Sequence, residues 1–139
     1  MSDDTLRDLF GTHGQCGLVA LKRDGRPQVS TVSYAYDRDR DLIRVSVTAD
    51  RAKTANLRRD PRASVYVTGN GGWAYAVAEA RGELLPTSAA PDDASVEELV
   101  DIYRAIGGEH SDWDEYRAAM VRDKRVPLLL HVERVYGAA

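Results

Sequence analysis

A chain of 139 residues, 43% hydrophobic and 29% charged, is long enough to bury one core and too apolar to stay disordered. Its net charge of -3 argues against a general nucleic-acid binder, and its single cysteine, Cys16, excludes an intrachain disulfide and a thiolate zinc cage. The acidic start MSDDTLRDLF carries no apolar signal region and no apolar run approaches a bilayer span, so one cytoplasmic domain over residues 1–139 without membrane contact is expected.

In chain order, residues 4–12 suggest a short helix with Leu6, Leu9 and Phe10 on one side. CGLVALK (16–22) reads as a buried strand. Asp24-Gly25 between apolar runs signals a hairpin into a second strand, PQVSTVSYAYD (27–37). The polar turn DRDRD leads to LIRVSVT (42–48), which alternates Ile43, Val45 and Val47 against Arg44, Ser46 and Thr48. A helix is predicted over 51–60, capped by Asp50 and stopped at Asp60-Pro61, because the residue before proline is pushed out of the helical region. A fourth strand (63–69), a glycine-rich turn and a long fifth strand (73–86) follow.

The fifth strand sets Trp73, Tyr75, Val77, Glu79 and Arg81 on one face and Ala74, Ala76, Ala78, Ala80 and Gly82 on the other. A row of small side chains allows close approach, whether by a helix, a second subunit, a planar ligand or the protein's own tightly filled interior. Asp92 or Asp93 then caps a helix with Val96, Leu99, Val100, Tyr103 and Ile106 at a period near 3.6, stopped by Gly107-Gly108. A second short helix from Ser111 or Asp112 carries Trp113, Tyr116 and Met120, and the chain ends in a strand over 125–136. Five or six antiparallel strands with helices only as insertions predict a small β-barrel, and no Rossmann alternation or GxGxxG interrupts that pattern.

DRAKTANLRR (50–59) carries the most chemistry. Arg58 and Arg59 lie at the end of a helix that favours cations, whereas Arg51 and Lys53 lie at the end that disfavours them. Free N–H groups joined by two cations make a site for an anion, usually phosphate. Thr54 adds a hydroxyl donor, and Ser46 and Arg44 on the preceding strand can reach the same place. Gln28, Ser30 and Thr31 are polar where an apolar strand is expected, which suits hydrogen bonding to a heteroaromatic edge, and Trp73 and Tyr75 can pack on such a ring.

Other chemistry is sparse. His13, His110 and His131 show no metal-ligand spacing, and the acidic residues at 109–114 read as helix capping with Glu115 at capping-box distance, so no metal is expected. Cys16 reads as a buried, inert thiol. No nucleophile elbow, phosphate loop or carboxylate pair is present, so an enzyme of this composition would take its chemistry from a cofactor.

The stretches DGRPQVSTVSYAYD, LIRVSVTADRAKTANLRRDPRASV and GWAYAVAEARGEL, with the helical insertion VEELVDIYRAIGGEHSDWDEYRAAMV, resemble the pyridoxamine 5′-phosphate oxidase-like split-barrel family over about residues 14–136. Within it the sequence most resembles the actinobacterial branch that binds the deazaflavin coenzyme F420. The resemblance implies a mainly β (α+β) fold: a six-stranded antiparallel split β-barrel of the FMN-binding type, with helices between strands and a two-helix insertion near 92–123. It also implies a homodimer with two cofactor sites between subunits. The cofactor phosphate would lie against Arg51, Lys53 and Thr54, helped by Ser46, with Asn56 matching the same stretch. Gln28, Ser30 and Thr31 would line the ring, and Trp73, Tyr75 and Val77 would come from the facing subunit.

The chain lacks the C-terminal substrate motif of the oxidases that act on pyridoxamine phosphate, which argues against vitamin B6 oxidation. The leading expectation is an oxidoreductase that transfers hydride between reduced F420 and a small organic substrate, with the product proton coming from solvent or Tyr75. An FMN-binding oxidase of the same fold and a non-catalytic F420 carrier are the alternatives. Nucleic-acid binding through the basic residues of 51–62 is disfavoured, because no aromatic side chains interleave with them.

Overall fold

The computed structural model describes residues 2–139. Strands β1 (His13–Leu21), β2 (Pro27–Asp37), β3 (Leu42–Thr48), β4 (Arg62–Gly69), β5 (Ala74–Leu84) and β6 (Arg125–Ala138) are joined with helices α1 (Asp3–Asp8), α2 (Ala52–Arg59), α3 (Ala94–Gly107) and α4 (Trp113–Arg122). The strands close into an antiparallel barrel in the order β1-β2-β3-β6-β5-β4. The hairpin β1–β2 follows from Asp24-Gly25, where Gly25 takes φ +87 and Arg26 N–H bonds to the Asp24 carboxylate. The barrel is a split one. Strands β2 and β3 pair only from Ala35 with Arg44 to Asp37 with Leu42, and on the far side of that contact their remaining halves diverge.

Alternation decides what fills the interior. Ile43, Val45 and Val47 of β3 are 0%, 0% and 3% exposed, as the period of two requires. They meet Leu18, Val65, Val126, Leu128 and Leu130 in one apolar cluster. The alanine row of β5 faces this interior: Ala76, Ala78 and Ala80 belong to the barrel cluster. Close approach there serves the packing of the barrel itself. Trp73 precedes β5 as the C-cap of a one-turn 3-10 helix at Asn70–Gly72, because Gly71 and Gly72 bend the chain with positive φ.

Leu6 of helix α1 and Phe10 of the turn after it close one part of the barrel, and the Tyr34 hydroxyl donates to the Phe10 carbonyl. Arg7 ties the helix to Asp41 through bonds of 3.1 and 2.8 Å, and Tyr36 donates to the same carboxylate at 2.6 Å. Burial opposes ionisation of Asp41, but these donors outweigh it and hold its pKa below the ordinary carboxylate value. A depressed folded-state pKa stabilises the fold above the unfolded value of about 4, and the stabilisation is lost as pH falls through the lower, folded value. Asp41→Asn, which tolerates the local φ of 50, is therefore expected to flatten the loss of stability below about pH 4. Urea midpoints measured against pH check this; an unaltered acid limb would place the effect elsewhere.

Candidate functional site

The site is built where β2 and β3 part. Leaving β3, the chain turns at Ala49-Asp50 and enters α2 with Arg51 as its N-cap. The expected cap Asp50 stands one residue too early, and Arg51 offers no acceptor. The other three α-helices are capped by the side chains of Ser2, Asp93 and Asp112. Among the described residues, α2 is the one α-helix that starts with no capping side chain and no acid in its first turn, so its leading N–H groups lack a side-chain partner there. Lys53 sits in that turn, half-buried.

A cleft of about 480 Å³ opens there. Thr31, Val32 and Ser33 of β2 and Ser46 of β3 form its strand side. Lys53 comes from α2 and Arg125 from the start of β6, while α3 and α4 contribute Ile102, Tyr103, Ile106, Gly107, Tyr116 and Met120. Two cations and no acid line it. Arg125 also lines an adjoining polar basin with Thr48, Asp50, Arg51, Arg122, Asp123 and Lys124. The Arg125 Nε is buried without a protein partner, and its Nη1 reaches the Ser46 carbonyl at 3.5 Å.

The structure thus gathers Thr31, Ser46 and Lys53 in one cleft and puts Arg51 in the basin beside it. Gln28 and Ser30 lie on the opposite face of β2 from Thr31, with Gln28 Oε1 and Ser30 Oγ buried and unpartnered. Thr54 is fully buried, and its hydroxyl donates to the Thr48 carbonyl at 2.7 Å, which holds the turn into α2 and leaves no proton for a ligand. Arg44 also turns elsewhere, to an ion pair with Glu98 of α3 at 3.0 Å that docks the insertion on β3. Asn56 accepts from Arg59 at 3.1 Å.

Trp73, Tyr75 and Val77 do not line this cleft. Tyr75 and Val77 belong to an outer face where Thr31 pairs with Gly17, Gly17 with Tyr66, Tyr66 with Val77 and Val77 with Tyr136, and Trp73 lies just before the strand. Tyr66, Trp73, Tyr75 and Tyr136 are exposed large aromatic groups on the molecule, at 44%, 88%, 36% and 42%. Burial lifts the Cys16 thiol to about 12, so it stays protonated at neutral pH. Glu109 is used by Trp113 and Arg104, and Asp112 caps α4.

Sequence reading missed Arg125. The signal exists only in register: Thr48 pairs with Arg125 across β3 and β6, which places a cation from the far end of the chain beside α2. Tyr103, Tyr116 and Met120 were legible as apolar helix positions but not as cleft lining.

Among solved structures, a conserved hypothetical protein of Mycobacterium tuberculosis superposes with a TM-score of 0.74 at 21% identity, covering 99% of this chain and 84% of that one. A protein described as an F420 reductase matches with a TM-score of 0.62 at 22% identity, covering 88% of each chain. An FAD-binding protein of Mesorhizobium loti matches with a TM-score of 0.68 at 22% identity over 99% of this chain and 94% of that one. At such identities the likeness is one of fold. The family model described as pyridoxamine 5′-phosphate oxidase matches residues 2–138, and the chain therefore belongs to that family.

Proposed function

We propose that this protein binds a phosphate-bearing flavin-type cofactor, coenzyme F420 in preference to FMN, and that it is an oxidoreductase acting on a small organic substrate. The observation that carries the reading is the cleft at the uncapped start of α2, where Lys53 and Arg125 meet Ser46 and Thr31 and no carboxylate joins the lining. The residues fit such a group. An anion would satisfy the first N–H groups of α2 and offset the cost of a cation in that turn. The orphaned Arg125 Nε is a further donor in the cleft, whereas Gln28 Oε1 and Ser30 Oγ, also without partners, lie outside the cleft lining. When bound, the cofactor supplies hydride chemistry, which the chain's own side chains do not. The protein's part is to anchor the phosphate through Lys53 and Arg125, hold the ring along β2, and keep water from it. Likeness in fold to an F420 reductase supports the deazaflavin.

The reading includes a homodimer. The exposed aromatic face begins in register at Thr31, a cleft residue, and continues to Tyr136. A second copy seated on it would cover the aromatic groups and bring the partner's Trp73 and the partner's Tyr75 toward the cleft. Solvent or that tyrosine then supplies the product proton.

Titration of the purified protein with F420 and with FMN, followed by absorbance, tests the cofactor. Tight FMN binding with no F420 binding at micromolar protein would reverse the preference, and binding of neither sinks the reading. Turnover of a panel of enones and quinones separates an enzyme from a carrier. For the dimer, Tyr66→Lys and Tyr136→Lys are expected to give a monomer in sedimentation with weakened cofactor binding. A wild-type protein that sediments as a monomer at micromolar concentration removes this part of the proposal.

A further inference from the structure

Helices α3 and α4 have an apolar core of their own, Val96, Leu99, Val100, Ile102 and Met120, separate from the barrel core. The elbow between them starts at Gly107 and Gly108, where Gly108 takes φ +78 and donates its N–H to the Arg104 carbonyl at 3.1 Å. It ends at Asp112, the N-cap of α4. One side chain closes it. His110 Nδ1 accepts from the Asp112 N–H at 2.8 Å, the same two-residue reach that an asparagine uses in an Asx turn. The His110 ring also packs against Tyr103, Trp113 and Tyr116, with centroids 5.2, 5.6 and 5.4 Å away. Tyr103 and Tyr116 line the cleft, so the residue that closes the elbow also braces two rings of the cleft wall.

An imidazole has an acceptor nitrogen in its neutral form alone. With a proton on each nitrogen, His110 would point N–H at N–H, and the turn into α4 would lose its bond. Aromatic faces accept a cation, so the ring can charge without being expelled; what it gives up is the acceptor. The groups around it do not reverse this. Tyr103 and Arg104 come from α3, Glu109 from the elbow, and Asp112, Trp113 and Tyr116 from α4. Arg104 and Glu109 pair with each other at 3.2 Å, Arg104 lies 4.7 Å over Trp113, and Glu109 accepts from Trp113 Nε1 at 2.9 Å. The Asp112 carboxylate is engaged by the Glu115 N–H at 3.1 Å. Tyr116 donates to the Leu99 carbonyl at 3.0 Å; burial lifts its pKa to about 12, with Arg125 of β6 opposing, so it stays neutral.

We propose that His110 is a pH-sensitive latch: neutral, it closes the elbow and holds the helical wall of the cleft, and protonated, between about pH 8 and 5, it releases the turn into α4 and loosens that wall. Trp113 emission is read in Trp73→Phe, where Trp113 is the sole tryptophan, and amide exchange of residues 112–116 is read with Trp73 in place. As pH falls, the wild type is expected to change Trp113 emission and to lose about two- to tenfold in protection at 112–116, the loss of one hydrogen bond. His110→Asn has an acceptor at the same reach at every pH and is expected to keep its protection throughout. His110→Phe keeps a ring without an acceptor and is expected to show the low-pH protection at every pH. His13 and His131 remain in both variants, so a transition that persists in His110→Asn belongs to them and overturns the proposal. Emission that titrates while protection at 112–116 stays constant overturns it too, as does full protection in His110→Phe.

The effect on the cleft rests on the cofactor reading. F420 affinity of the wild type relative to His110→Asn is expected to fall about two- to tenfold over the same range, and the ratio cancels any titration of the cofactor itself. A constant ratio overturns the link between elbow and cleft. Failure of the cofactor reading is seen separately, in the absence of F420 and FMN binding at any pH; emission and exchange that still change together, and only with His110 present, uphold the latch on their own.

Discussion

Lys53→Ala is expected to weaken cofactor binding by about 1–3 kcal/mol, roughly 5- to 150-fold in Kd, and to leave the thermal midpoint unchanged or slightly raised. The two halves of that result have one cause. Lys53 occupies the first turn of α2, where the helix dipole disfavours a cation, and no acid in that turn compensates it. Removing it relieves an unfavourable interaction in the free protein and deletes a favourable one in the complex. Arg59→Ala is the control from the same helix. Arg59 lies in the last turn, donates to the Leu21 carbonyl and to Asn56, and so ties α2 to β1. Its loss should lower the thermal midpoint and spare affinity. Absorbance titration at low and moderate salt, with melting curves on the same samples, reads both. A melting point that falls by several degrees in Lys53→Ala with Kd unchanged would make Lys53 a structural residue and misplace the site.

Much of the fold was legible because alternation and capping are local. The strand over 42–48 showed its buried side in the spacing of Ile43, Val45 and Val47, and Asp93 and Asp112 cap helices where predicted. What was not legible is what distant pairing decides. The residues of DRAKTANLRR showed an electrostatic oddity, but the structure divides them by position. Lys53 reaches the cleft, Arg51 the adjoining basin, and Thr54 is consumed by the turn that aims them. Arg44 shares a strand face with Ser46, yet only packing of α3 reveals Glu98 as its partner. Arg125 enters the site through a pairing with Thr48 that no local window contains. Gln28, Ser30 and Thr31 are neighbours in sequence, and the strand period parts them.

The alanine face of β5 makes the second prediction with a large effect. Ala78 is fully buried, pairs with Val65 on one side and Val135 on the other, and faces an interior filled by Leu18, Ile43, Leu128 and Leu130. Six strands leave little width, and the alanines leave room for those larger side chains. Ala78→Leu is expected to destabilise the fold by about 1–3 kcal/mol or more, seen as a lower urea midpoint with an unchanged slope. The neighbouring residue Val77 pairs with Tyr66 and Tyr136 on the other face, so under the proposed dimer a change on that side is expected to act on assembly rather than on the barrel. The contrast makes the experiment decisive about strand geometry. If Ala78→Leu keeps its stability and instead loses dimerisation or cofactor binding, the small-residue row meets a ligand or a second subunit, and the faces of β5 are assigned the wrong way round. If it unfolds early while cofactor affinity of the folded fraction is retained, tight filling of the barrel accounts for the alanines, and the functional surface of the strand is its aromatic side.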